Sequence, residues 1–103
     1  MGFEYRLHIE PPVTDFDAAC DSVFANSEWQ RIPTSFLEIP TGVGVQCGAT
    51  PVDPSWPHVA DLYLENERVV FVVCHNNNGG LFMNALIVHL ESIGHAVTVD
   101  DDI

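Results

Sequence analysis

Cys74 and His75 stand side by side where an apolar run, Val69 to Cys74, gives way to an Asn-rich segment. A thiol near a helix N-terminus is acidified and a neighbouring imidazole can take its proton, so the pair has the composition of a nucleophile and its base. Strand geometry opposes that reading. Adjacent strand residues project to opposite faces, so the thiol should continue the buried Val70-Val72 face while His75 points the other way. The histidines His8, His58, His75, His89 and His95, with Cys20, Cys47 and Cys74, supply donors that zinc would accept. None falls into Cys-x2-Cys, His-x3-His or His-Glu-x2-His spacing, and a tetrahedral site needs about four converging ligands. No metal and no cofactor are expected, and no catalytic residue is assigned. An odd number of widely spaced cysteines, each within an apolar pattern, predicts reduced core thiols without a disulfide. Asn76-Asn77-Asn78-Gly79-Gly80 could offer backbone N–H groups to an anion. It matches no phosphate-loop pattern and has no Lys or Arg beside it, so it reads as a strand-to-helix turn with Asn78 as the cap.

The elements that position these residues follow from periodicity. Phe3, Tyr5, Leu7 and Ile9 alternate with Glu4, Arg6, His8 and Glu10, a strand with one buried and one wet face. After Pro11-Pro12, Thr14 is the expected cap of a helix that presents Phe16, Ala19, Cys20, Val23 and Phe24 on one side, with Asp17 in its first turn. A second strand is expected at Ser35 to Ile39 and a third through Val43, Val45 and Cys47. Pro51, Pro54 and Pro57 make Gly48 to His58 a loop around Trp56. Ala60 to Glu65 and Arg68 to Cys74, joined at Asn66-Glu67, read as a hairpin. Leu81 to Ile93 reads as a second helix stopped by Gly94, and His95 to Val99 as a last strand.

The order β-α-β-β-β-β-α-β in a single domain of 103 residues predicts an α+β fold. The expected form is a two-layer α/β sandwich, a ferredoxin-like variant with a mixed sheet of about six strands and both helices on one face. Phe16, Val23, Phe24, Leu86, Leu90 and Ile93 should then pack on Phe3, Tyr5, Leu7, Ile9 and Phe71 or its neighbours. The second helix has an apolar arc wider than one stripe. Either the first helix covers the excess or a subunit interface does, which would make a homodimer through that helix.

Three arginines, no lysine and 15 acids give a formal charge of −12, with 47% apolar residues. A surface this acidic repels nucleic acid and anionic membranes, and the apolar content suffices for a globular core. The N-terminal residues have no signal-peptide pattern and no run spans a bilayer, so a cytoplasmic location is expected. Glu4, Arg6, His8 and Glu10 on the first strand and Asp61, Tyr63 and Glu65 on the fourth mark wet-side positions around an apolar strip. This composition predicts a non-enzymatic module that binds a basic protein, of the immunity or antitoxin type, with charge steering the encounter. The alternative is a small enzyme or ligand-binding regulatory domain with a pocket under the 48–58 loop, using Trp56, His58 or His75. A third possibility is salt adaptation, in which the charge carries no information about partners.

Overall fold

The computed structural model describes residues 3–25, 28–33, 42–47 and 58–101. In order they form β1 (Phe3–Glu10), α1 (Phe16–Ala25), β2 (Trp29–Pro33), β3 (Val43–Cys47), β4 (His58–Asn66), β5 (Val69–Cys74), α2 (Asn77–Ser92) and β6 (Ala96–Asp101). The strands make one six-stranded sheet in the order β2-β3-β4-β5-β1-β6. With both helices sharing one core with it, the fold is the expected α+β sandwich.

The sheet is antiparallel at every pairing rather than mixed. The reason lies in where the crossovers land. The helix between β5 and β6 does join strands of the same sense, but β1 lies between them; likewise β5, β4 and β3 separate β1 from β2. Co-directional strands therefore never become neighbours.

The core follows the alternation of the strands. Cross-strand partners Leu7 and Val70, Leu62 and Val72, and Val43 and Leu62 are all fully buried. Above them sit Phe16, Ala19, Cys20 and Val23 of α1 and Phe82, Met83, Leu86 and Leu90 of α2. Phe82 joins three elements: its ring stacks on Phe24 at 5.2 Å and meets Trp29 edge-on at 5.5 Å. Truncating Leu86 or Leu90 to Ala would cost about 2–5 kcal/mol.

Several local expectations change. Phe71 lies on the face away from the helices, and its neighbours Val70 and Val72 take the core positions. Ile93 is exposed rather than packed on the sheet, because the helix ends at Ser92 and Gly94 turns the chain with φ 104°. Asp15, not Thr14, caps α1: its Oδ1 accepts from Ala18 N at 3.0 Å. Asn76, not Asn78, caps α2, accepting from Asn78 N and Gly79 N. Gly79 lets that first turn press against β4, since a Cβ there would lie 2.1 Å from the Val59 carbonyl oxygen. The strand expected at Ser35 to Ile39 falls outside the described residues. The strand at Trp29–Pro33 lacked alternation to reveal it, since its half-buried residues, Trp29 and Ile32, are three apart.

Candidate functional site on the open face of the sheet

The face opposite the helices is built from the alternate residues of the same strands. Registers place Asp61, Val73 and Glu4 in one row across β4, β5 and β1. The next row is Tyr63, Phe71, Arg6 and Asp100 across β4, β5, β1 and β6. The centre of the second row is aromatic. The Tyr63 and Phe71 rings are 5.4 Å apart, and the Arg6 guanidinium lies 5.2 Å from the Phe71 centroid, a cation–π contact. Arg6 Nε also donates to Glu65 Oε1 at 3.0 Å, and His8 Nε2 lies 3.7 Å from Asp100 Oδ2. Glu4, His8, Glu10 and Glu65 are exposed; Arg6 and Tyr63 are half-buried. Among the described residues no ion pair joins Glu4 or Glu10.

Asp61 departs from the wet-side expectation. It shares the face with Tyr63 and Glu65 yet is 0% exposed, the one buried charged or polar residue among those described. His75 Nε2–H donates to Asp61 Oδ2 at 2.8 Å, and His58 Nε2 lies 3.9 Å from Oδ1. The Pro33 carbonyl can only accept, so His58 Nε2 carries the proton of that 2.7 Å bond. On the adjoining strand Asp61 is opposite Gly44. A Cβ there would meet the Pro33 carbonyl oxygen at 2.5 Å and the His58 ring at 2.9 Å; the missing side chain is what admits His58 beside the carboxylate. Asp61 thus anchors His75, with His58 held nearby by the Pro33 carbonyl, and its carboxylate is not exposed to a docking partner.

Of the alternative pocket, His58 and His75 do converge, on Asp61; Trp56 lies outside the described residues. A buried carboxylate that fixes an imidazole is one half of a hydrolytic or acid–base centre. The nucleophile offered by the sequence is not there. Cys74 faces the helix side, buried with Val70 and Val72, and burial pushes its thiol up to about 11. Cys20 is likewise a free, buried thiol pushed up to about 12, chiefly by desolvation. Among the described residues no three His, Cys, Asp or Glu side chains are grouped to hold a metal ion.

The arginines are drawn into internal contacts elsewhere too. Arg31 of β2 forks between Asp17 and Asp21, one turn apart on α1, at 2.9 and 3.1 Å. Burial alone would lower its pKa, but the hydrogen bonds to the two carboxylates outweigh that and raise it. Two acids of α1 are therefore engaged, whereas the open face keeps Glu4 and Glu10.

No helix among the described residues is long and apolar enough to cross a membrane. No protein-family model matches the chain, and no curated protein or solved structure shows significant similarity to it.

Proposed function

We propose that this chain is an acidic protein-binding module that docks a basic partner on the open face of its sheet, in the manner of an immunity or antitoxin-type inhibitor acting in the cytoplasm. The observation that carries the reading is the Tyr63–Phe71 pair at the centre of the face opposite α1 and α2, rimmed by Glu4, Glu10, Glu65 and Asp100. An aromatic centre within a charged rim is the anatomy of an interface whose centre holds affinity and whose rim steers association. Arg6 does not spoil the sign, since Glu65 and the Phe71 ring already engage it. Buried free thiols at Cys20 and Cys74 suit a reducing compartment.

The test is binding kinetics against the product of the neighbouring coding sequence, where an inhibitor of this type would have its target. Glu4→Lys with Glu10→Lys should slow association about ten-fold at low salt and little at high salt. Equal rates for the double variant and the native chain would remove the acidic face from the interface.

A second reading rests on the 2.8 Å contact between His75 and Asp61, which would orient an imidazole for a small ligand. Thermal stabilisation by a small molecule alone, lost in His75→Ala, would favour it over protein binding.

A further inference from the structure

We infer that β6 is a strand-addition site: a basic protein lays an extended segment along its outer edge, with Lys or Arg on the open-face side alternating with apolar residues on the helix side. This rests on the reading of the open face as the docking surface for a basic partner and adds the form in which that partner attaches.

Among the described residues β6 stands at the end of the sheet and pairs only with β1. The N–H and C=O groups of alternate β6 residues therefore point away from β1, a row that another strand can continue. Proteins commonly blunt such edges with proline, lysine or a bulge. At the opposite edge β2 is five residues long and ends in Pro33, which has no N–H. β6 contains neither proline nor lysine and keeps an unbroken register with β1 from Ala96 to Asp101.

The register also selects the occupant. On the open-face side Ala96, Thr98 and Asp100 stand beside Glu10, His8 and Arg6 of β1. All three β6 residues are exposed, as is Glu10, which Ala96 is too small to cover. The Asp100 side chain stays 65% exposed although His8 lies 3.7 Å away. Arg6, the cation of that row, reaches away from β6, donating to Glu65 and lying over Phe71. The edge thus presents carboxylates in the Asp100 row and the Ala96 row, four residues or about 13 Å apart along the strand. On the helix side the same strand presents Val97, packed on the core, and Val99, 44% exposed. An added strand sets its side chains in these same rows. Its complement has cations at its first and fifth positions and apolar residues at its second and fourth. A second copy of this chain is the wrong occupant. Two β6 strands paired antiparallel about Thr98 would set Asp100 of each beside Ala96 and Glu10 of the other, carboxylate against carboxylate.

NMR titration of the full chain with a nine-residue peptide tests this. The probe is Lys-Val-Thr-Val-Lys flanked by Ser-Gly and Gly-Ser. It should slow amide exchange at alternate residues of β6 and bind about ten-fold more tightly than a shuffled peptide of the same composition. N-methylation of its Val, Thr and Val amides keeps every charge and side chain but blocks both edges, and should weaken binding about ten-fold. Asp100→Lys should weaken the unmodified peptide about ten-fold at low salt, whereas Glu91→Lys, the same charge change on α2, should leave it unchanged. Equal binding of the alternating and shuffled peptides, or of the plain and N-methylated ones, overturns strand addition. So does protection of amides elsewhere in place of β6. The reading of the open face fails separately, on the association rates of Glu4→Lys with Glu10→Lys.

Discussion

Asp61 and Glu65 are four residues apart on one face of one strand, carry the same group, and occupy opposite environments. Asp61 is sealed from solvent with His75 bound to its carboxylate; Glu65 is exposed and pairs with Arg6 across the surface. The distinction comes from position along the strand. Near the start of β4 the neighbouring strand supplies Gly44, which opens space for His58, and the end of β5 brings His75. Towards the other end of β4 the neighbours are Phe71, Arg6 and solvent. Alternation tells which way a side chain points; depth is set by what stands beside it.

The sharpest way to break this comparison is to remove each carboxylate in turn. Asp61→Ala leaves His75 without its buried acceptor and should cost about 2–4 kcal/mol in urea unfolding. Glu65→Ala loses a surface pair and should cost about 0–1 kcal/mol. Comparable losses at the two sites would mean that the buried contact adds nothing special. Gly44→Ala probes the same pocket through its wall. The new methyl group would press on the Pro33 carbonyl, and relieving that should cost about 1–3 kcal/mol.

The thiols test burial on the opposite side of the sheet. Cys20 is held up to about 12 against an ordinary value of 9.0. Above pH 9 the unfolded chain loses that proton while the folded chain keeps it. Stability therefore falls as pH rises from 9 towards 12, by roughly 1 kcal/mol per pH unit from this group, and no such loss occurs below 9. Cys20→Ala should flatten the decline between pH 9 and 10 in thermal or urea titrations. An unchanged slope would mean that other groups cause it.

How much of this was legible in the sequence depends on which neighbours matter. The two helices and the strands β1, β4 and β5 were readable because their apolar rhythm is local: Leu7 and Ile9, Val70 and Val72, and Phe82, Leu86 and Leu90 are buried as their spacing indicates. The strand order was hidden because it depends on where a crossover lands, and β2 because Trp29 and Ile32 do not alternate. His58 and His75 could be named as candidates, since both types carry chemistry. Their convergence on Asp61 could not, because it requires the β3–β4 and β4–β5 registers, and those are long-range. The strongest available hint was Gly44, a residue without a side chain inside the third strand, which marks a close approach.

The smallest effect on stability is expected where the proposed function is strongest, at Glu4 and Glu10. Both are exposed on β1 and lack an ion pair among the described residues, so reversing either to Lys should change stability by less than about 0.5 kcal/mol. Association with a basic partner should respond instead, because uncompensated rim charges act at long range on the encounter and little on the packed complex. Tyr63→Ala should show the converse pattern, with faster dissociation and little change in association, since it removes an aromatic contact with Phe71 rather than a charge. The pair of variants separates the two parts of the face. Were Glu4→Lys and Glu10→Lys to destabilise the fold as much as Asp61→Ala, the open face would hold a second buried site. Were Tyr63→Ala to leave dissociation untouched, the aromatic centre would belong to the sheet alone, and contact would have to run through the acidic rim.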